Sequence, residues 1–170
     1  MKRAGYTWLL RLALPLLVVR LAWRRQAGYL RHVGERFGFY PPAQKSPQGP
    51  LVWLHAVSVG ETRAAVPLVE ALLARHPACR VLVTHMTPSG RETGEALFGA
   101  RVLRTYRPYD TPGAVRRFLR HFRPCAGLLL ETELWPNLAA ACRAEKLPLL
   151  LVNARLSAKS AAGYTRFAGL

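Results

Sequence analysis

Five short apolar runs, each separated from the next by a helical pattern, constrain the fold more than any other feature of this sequence. The runs are LVWLH (51–55), CRVLVTH (79–85), RVLRTY (101–106), AGLLLE (126–131) and LPLLLVN (147–153). Strands that are apolar throughout, rather than at alternate positions, are typical of a parallel sheet with helices on both faces. Helical patterns over 61–75, 89–98, 112–122 and 134–146 fill the intervals. The order therefore predicts a doubly wound α/β domain.

A further apolar run precedes this domain and predicts a helix that associates with a membrane. Residues 7–23 are mostly Leu, Val, Ala and Trp, although Arg11, Arg20 and Pro15 interrupt them. A spanning helix needs about 20 apolar residues, so the run is slightly short. Arginines near its ends can extend to the headgroups. A spanning helix, a helix lying in the interface and a buried helix of a soluble core are all open, and we favour membrane association.

The residues that follow the apolar run predict its orientation and the domain boundaries. Four arginines follow the run: Arg24, Arg25, Arg31 and Arg36. Their charges suit anionic headgroups, and they indicate a cytoplasmic location for the rest of the chain. The segment FYPPAQKSPQGP contains four prolines and is typical of a linker. We therefore predict a membrane-anchor helix with a basic segment over 1–38, a linker over 39–50 and an α/β domain over 51–170.

The charge of the chain indicates an anionic partner. The formal net charge is +16, which suits nucleic acid, an anionic membrane or a phosphorylated substrate. Nucleic acid is disfavoured, because the basic residues alternate with apolar helix faces and no recognition motif with stacking aromatics is present. Cys79, Cys125 and Cys142 are widely spaced and form no compact cluster with His or carboxylates. We therefore predict no metal site.

Polar residues collect where the predicted strands end, which is where doubly wound sheets bind ligands. The candidates are Ser58, Gly60 and Glu61 after the first strand, Thr87, Ser89, Gly90 and Arg91 after the second, Glu131 and Glu133 after the fourth, and Asn153 and Arg155 after the fifth. The sequence contains neither the G-x-G-x-x-G fingerprint nor a P-loop. His55 and His85 end adjacent strands, and for both we favour a structural role.

Each of these groups also has a structural explanation. Ser58 can cap a helix, with Glu61 completing a capping box. Ser89 can begin a helix, or the same turn can offer N–H groups to a phosphate. Glu131 and Glu133 are predicted to share one face of a strand end. Because burying unpaired carboxylates is costly, we expect at least one of these two to have a function.

Six blocks of the sequence, in this order, strongly resemble the 3-deoxy-D-manno-octulosonic acid (Kdo) transferases of lipopolysaccharide assembly. They are WLHAVSVGE, VTHMTPSG, YRPYDTP, RFLRHFRP, ETELWPN and LVNARLSAKSAAGY, and GERFG (34–38) resembles the basic motif that follows the family's anchor. The resemblance implies the N-terminal Rossmann-like domain of a two-domain GT-B glycosyltransferase. In that family the N-terminal half binds the lipid A precursor, and the C-terminal half binds the donor CMP-Kdo. These 170 residues resemble the N-terminal half, so we expect the chain alone to be inactive.

The resemblance also implies roles for individual residues. Glu61, the glutamate of the SxGE block, is the implied general base of an inverting transfer, because the attacking hydroxyl must lose its proton. Glu131 is the implied second catalytic carboxylate, which orients the acceptor or the base. The remaining strand-end candidates are expected to bind the acceptor.

The resemblance also implies which cofactors, partners and cellular location to expect. No cofactor or metal is expected, because the leaving group is a nucleoside monophosphate. The expected partners are the anionic lipid A precursor, CMP-Kdo through the donor domain, and the cytoplasmic face of the inner membrane, with no nucleic acid. The alternative is a non-catalytic, membrane-bound module that binds anionic lipid.

Overall fold

The structure is a computed structural model that describes residues 3–23, 27–41, 49–131 and 135–154. Its helices are α1 (Arg3–Trp23), α2 (Ala27–Leu30), α3 (Val33–Arg36), α4 (Val59–Ala64), α5 (Val66–Arg75), α6 (Pro88–Phe98), α7 (Pro112–Phe122) and α8 (Pro136–Ala144). Its strands are β1 (Leu51–His55), β2 (Arg80–His85), β3 (Leu103–Tyr106), β4 (Ala126–Leu130) and β5 (Leu149–Val152). A short 3₁₀ turn, Gly99–Arg101, precedes β3.

A parallel sheet in the order β3-β2-β1-β4-β5 forms the centre of the molecule. In the central strand, Leu54 pairs with Val83 of β2 and Leu128 of β4. The chain first builds outward from β1 through β2 to β3, and then crosses to β4 and β5 on the other side. The switch point of the topology therefore lies between β1 and β4. The predicted parallel α/β fold is confirmed.

Each face of the sheet carries its own apolar core, because consecutive strand residues point to opposite faces. On one face, Trp53 packs edge-on against Phe118 of α7 at a centroid distance of 5.0 Å, and Leu138 of α8 joins the same cluster. On the other face, Leu54 packs with Val69 of α5 and with α6. The helices that follow β1 and β2 thus cover one face, and those that follow β3 and β4 cover the other.

The helix predicted over 61–75 is divided into α4 and α5. Pro67 lies in the first turn of α5, where its missing N–H cannot bond to a carbonyl of the preceding turn. The proline therefore ends one helix and begins the next.

The short helix α3 is packed into the α/β domain. Glu35 accepts hydrogen bonds from Arg91 Nη1 at 2.6 Å and from the backbone N–H of Tyr106 at 2.8 Å. Arg36 is 2% exposed, donates from Nη2 to Met86 O and lies 3.9 Å from the centroid of the Tyr106 ring. The GERFG motif thus connects α3 to the ends of β2 and β3.

The prediction that Arg36 faces anionic headgroups is therefore wrong, because its guanidinium is held inside the domain. Arg31 is exposed, while Arg24 and Arg25 lie outside the described residues. Most of the predicted linker, residues 42–48, also lies outside them.

Helix α1 has a docked side and an exposed apolar side. Thr7 and Leu14 are buried, and Thr7 Oγ1 and the Asn137 side chain of α8 are hydrogen-bonded at 2.9 Å. The large exposed apolar side chains of the helix are Trp8, Leu9, Leu12, Leu16, Leu17, Val19 and Trp23. No helix within the described ranges combines the length and apolar character that crossing a membrane requires. The predicted anchor stays a prediction.

Candidate functional site

Glu61 lies in the first turn of α4, directly beyond the carboxyl end of β1. Ser58 is the N-cap of this helix and accepts from the Glu61 N–H at 3.4 Å. The Glu61 carboxylate accepts from the Val57 N–H at 2.7 Å and from Ser58 Oγ at 3.0 Å. The predicted N-cap Ser58 is confirmed, but the Glu61 carboxylate accepts from the Val57 N–H, one residue before the N-cap, rather than from the Ser58 N–H of a standard capping box. Glu61 is 8% exposed, so its carboxylate is oriented by local hydrogen bonds and largely withdrawn from water, while Gly60 beside it is exposed.

A buried histidine supports the turn that holds Glu61. His85 Nδ1 lies 3.0 Å from Ala56 O and 3.4 Å from Thr62 Oγ1. Because a carbonyl oxygen only accepts, Nδ1 carries the ring proton. A Cβ on Gly94 of α6 would lie 2.7 Å from His85 Nε2, so a side chain at position 94 would collide with the ring. His85 thus links the end of β2 to the residue after β1, where the turn that holds Glu61 begins.

His55 is the corresponding residue of β1, and it is fully buried. Its Nδ1 lies 2.9 Å from Thr84 Oγ1, which also accepts from Trp53 Nε1 at 2.8 Å. Burial, followed by the nearby charge of Arg107, lowers the pKa of His55 well below its ordinary value. Burial likewise lowers the pKa of His85 to about 4. Both imidazoles are therefore neutral near pH 7, which agrees with structural roles.

Because these two histidines are buried and neutral, we predict that the folded protein loses stability in mild acid. In the unfolded chain each imidazole binds a proton below pH 6.5, whereas the folded imidazoles stay neutral. The free energy of unfolding therefore decreases as the pH falls, and between pH 7.5 and 5.5 we expect a loss of about 1.3 kcal/mol per histidine. Urea unfolding at the two pH values measures the change. Equal stability at both would show that the folded histidines take up protons as readily as unfolded ones.

The turn after β2 differs from its prediction in one respect. Thr87, not Ser89, is the N-cap of α6, and its Oγ1 accepts from the Gly90 N–H at 3.1 Å. The shift arises because Pro88, with φ fixed by its ring, is already suited to the first helical position. Gly90 has no room for a side chain, since a Cβ would lie 3.0 Å from Val57 O. Ser89 is exposed, and the turn lies at the carboxyl edge of the sheet.

Arg91 follows this turn, and its charge is largely compensated within the protein. Its guanidinium bonds to both oxygens of Glu35, at 2.6 and 3.4 Å, and lies 4.9 Å from the centroid of the Tyr106 ring. Arg91 therefore joins α6 to α3 and β3.

Glu131 is half-buried and lies just beyond the last residue of β4. Its φ is +56°, the left-handed region that side chains other than glycine rarely adopt. The prediction that Glu131 and Glu133 share one strand face is therefore wrong for Glu131, because the strand geometry ends at Leu130. Asn153, after β5, is exposed and also has a left-handed φ of +52°. Glu133 and Arg155 lie outside the described residues.

The structure adds two residues that the sequence analysis did not single out. Arg107, directly after β3, is 1% exposed, and its guanidinium lies 3.9 Å from the centroid of the Trp135 ring. Asp110 accepts from the backbone N–H groups of Asn137 and Leu138 at 2.9 and 2.8 Å, and burial raises its pKa. The YRPYDTP block contained the signal, because a charged pair directly after an apolar strand lies at the ligand-binding edge of such a sheet.

The edge therefore brings together side chains from three neighbouring loops. Glu61 follows β1 and Glu131 follows β4, the two strands that flank the switch point. The turn of Thr87 follows β2 and contacts the Glu61 turn, because Thr87 Oγ1 donates to Val57 O at 3.2 Å. Carboxylates and hydroxyls at a switch point can bind a polar ligand, and a carboxylate oriented as that of Glu61 is can accept a proton from it.

Comparison with known proteins gives one consistent relationship. Residues 31–170 match the family model described as 3-deoxy-D-manno-octulosonic-acid transferase (kdotransferase). A 3-deoxy-D-manno-octulosonic acid transferase of Bordetella pertussis is 47% identical over 94% of this chain, and one of Haemophilus influenzae is 40% identical over 96%. A probable mitochondrial 3-deoxy-D-manno-octulosonic acid transferase of Arabidopsis thaliana is 41% identical over 86%.

The matched regions cover 39% of the two bacterial relatives and 33% of the plant relative. The chain thus spans about two fifths of the length of the bacterial proteins. The family match covers most of the described α/β domain and every strand-end residue described above. The chain therefore belongs to the 3-deoxy-D-manno-octulosonic acid transferase family.

Proposed function

We propose that this chain is the acceptor-binding half of a glycosyltransferase that transfers Kdo from CMP-Kdo to a lipid A precursor. One observation carries the proposal beyond family membership. The two carboxylates assigned to catalysis, Glu61 and Glu131, follow the two strands that flank the switch point of the sheet. Ligands of doubly wound sheets bind at this position. The donor is bound mainly by a second domain of the GT-B type, which the matched part of the relatives does not include.

In the proposed reaction Glu61 is the general base. A hydroxyl of the acceptor attacks the anomeric carbon of Kdo, its proton passes to the Glu61 carboxylate, and the bond to CMP breaks with inversion. The hydrogen bonds from the Val57 N–H and Ser58 Oγ fix the carboxylate before the acceptor arrives. Glu131 orients the acceptor or the base. Neither a metal nor a cofactor takes part in this scheme.

The other strand-end residues bind the acceptor in this proposal. Those at or near the Glu61 turn are Ser58, Gly60, Thr87, Ser89 and Gly90, and the remaining ones are Arg91, Glu133, Asn153 and Arg155. Arg91 already pairs with Glu35, so its contribution to binding a phosphate depends on exchange of that partner. Ser89 is exposed, and its hydroxyl would exchange only a long bond of 3.5 Å to Thr87 Oγ1 for one to the acceptor.

An activity assay tests the proposal directly. The purified chain is incubated with CMP-Kdo and a lipid A precursor, with and without a separately expressed donor half of a relative. We expect Kdo transfer only when both halves are present. Binding of the precursor without any transfer in the mixture would instead support the alternative, a non-catalytic module that binds anionic lipid.

The proposed location is the cytoplasmic face of the inner membrane, with α1 as the contact. The exposed apolar side chains of α1 include Leu12, Leu16 and Trp23, at 68%, 72% and 87% exposure. A helix with such a face and flanking arginines can lie in the membrane interface. Deleting residues 1–38 would also remove Thr7 and Glu35, and with them the bonds that Asn137, Arg91 and the Tyr106 N–H make to these two residues.

Point substitutions on the exposed side of α1 are a better test of membrane association. We expect Leu12→Ser with Leu16→Ser to move the protein from the membrane fraction to the soluble fraction, since two exposed apolar contacts with lipid are lost. Sedimentation with neutral phospholipid vesicles measures the change. The control is Leu97→Ser with Leu103→Ser, at two exposed apolar positions away from α1. Unchanged sedimentation of the α1 variant would exclude this face as the contact.

A further inference from the structure

A groove of about 630 Å³ lies between α1, α7 and α8. Arg3 of α1 and Arg116 and Arg120 of α7 line it, together with the exposed ring of Trp8. Glu145, directly after α8, is the acidic residue in its lining. The groove therefore has a net positive lining and an aromatic rim, a combination that suits a phosphate group at a membrane surface.

The two arginines of α7 are placed side by side on its outer face. Arg116 and Arg120 are four residues apart and exposed, whereas Val115, Phe118 and Leu119 bury the opposite side of the helix. Two like charges at this spacing repel each other slightly. Neither arginine has an ion pair among the residues that the structure describes. Their guanidinium groups are thus available to an external anion.

Other arginines of the domain are already engaged, which separates them from this pair. The neighbouring Arg117 donates from Nε to Phe37 O at 3.1 Å and covers the ring of Phe39. Arg101 forms a bidentate ion pair with Glu70, with both N–O distances at 2.8 Å. Arg116 and Arg120 therefore differ from these two in their contacts as well as in position.

The groove is continuous with the exposed apolar side of α1. Trp8 belongs to both, because it lines the groove and is 63% exposed. Trp side chains favour the boundary between lipid and water. If α1 lies in the membrane interface, as proposed above, the groove lies at the level of the phospholipid headgroups.

We propose that the groove between α1, α7 and α8 is a binding site for the phosphate of an anionic membrane phospholipid. Arg116 and Arg120 bind the phosphate oxygens, Arg3 adds positive charge, and Trp8 contacts the lipid next to them. The proposal rests on the membrane association proposed above. It adds a second contact, on α7, and a preference for anionic phospholipid that is separate from acceptor binding at the strand ends.

Vesicle binding by the full 170-residue chain tests the site, with the double variant Arg116→Gln and Arg120→Gln. The probes are vesicles of neutral phosphatidylcholine, with and without anionic phosphatidylglycerol, and without any glycolipid acceptor. The control is Arg75→Gln with Arg101→Gln, which removes the same charge at exposed positions on the other face of the sheet. A basic residue near an anionic surface contributes about fivefold to partitioning. We therefore expect the α7 variant to bind anionic vesicles at least tenfold more weakly, and the control to change less than threefold.

The neutral vesicles separate this site from membrane association as such. We expect both variants to bind neutral vesicles as the unchanged chain does, because apolar α1 contacts do not depend on these charges. If the unchanged chain binds only anionic vesicles, the proposed apolar contact of α1 with the membrane is wrong, whereas the proposed phosphate site in the groove still stands. If both variants bind anionic vesicles equally more weakly, or if the α7 variant binds them as the unchanged chain does, the proposed phosphate site in the groove is wrong.

Discussion

Replacement of Glu61 by glutamine is expected to reduce Kdo transfer roughly 10²–10⁴-fold, the usual contribution of a general base. The chain is assayed together with a donor half. The amide can still accept the Val57 N–H bond and bond to Ser58 Oγ, so both local hydrogen bonds of this side chain are retained. We therefore expect a loss of about 1 kcal/mol or less, which lowers the melting temperature by only about 2–4 °C.

The combination of these two measurements separates catalysis from capping. A residue that only caps α4 would change the melting temperature and the rate by similarly small amounts. The matched control is Glu95→Gln, at an exposed position of α6, for which both quantities should stay near those of the unchanged chain. Near-normal turnover of the Glu61→Gln variant would remove Glu61 from the role of base and assign that role to Glu131.

Replacement of Glu35 by alanine is expected to destabilise the fold by about 3 kcal/mol, the lower end of the effect of breaking a buried ion pair. The carboxylate is the partner of Arg91 and of the Tyr106 N–H. Its side chain is 9% exposed and that of Arg91 is 20% exposed, so water replaces these bonds poorly. The melting temperature should fall by roughly 6–12 °C.

The exposed ion pair of Glu70 and Arg101 provides the control for this prediction. Its side chains are 46% and 51% exposed, and solvent screening leaves pairs of this kind with little effect on stability. Urea unfolding of Glu35→Ala and Glu70→Ala compares the two directly. Equal losses would mean that α3 does not hold the ends of β2 and β3 together.

The strands of this fold were predictable because each is a short apolar run that ends at a polar residue. Their boundaries agree with the structure to within two residues, since a strand buried on both faces admits few polar side chains. The division between α4 and α5 was missed, although its cause, Pro67, is local. The burial of Arg36 could not be predicted, because its partners Met86 and Tyr106 are distant in sequence.

The candidate site was predictable in outline and not in detail. Glu61 and Glu131 were expected at one edge because each follows a predicted strand, and the structure adds that the ends of β1 and β4 lie side by side. The left-handed φ of Glu131 was not foreseen, because no glycine or proline marks it. The pairing of Arg91 with Glu35 is a contact between residues 56 positions apart, and periodicity carries no information about such a contact.

Through Asp110 and its partners, the part of the chain that unfolds as one unit begins earlier in the sequence than the region matched by the family model. The family match begins at residue 31, yet Asp110 bonds to the start of α8, where the Asn137 side chain also bonds to Thr7 of α1. Unfolding the first turns of α1 would take the Thr7 hydroxyl away from the buried Asn137 side chain. In a hydrogen-exchange experiment, the amides in the first turns of α1 would then open together with those at the start of α8, as parts of one folding unit.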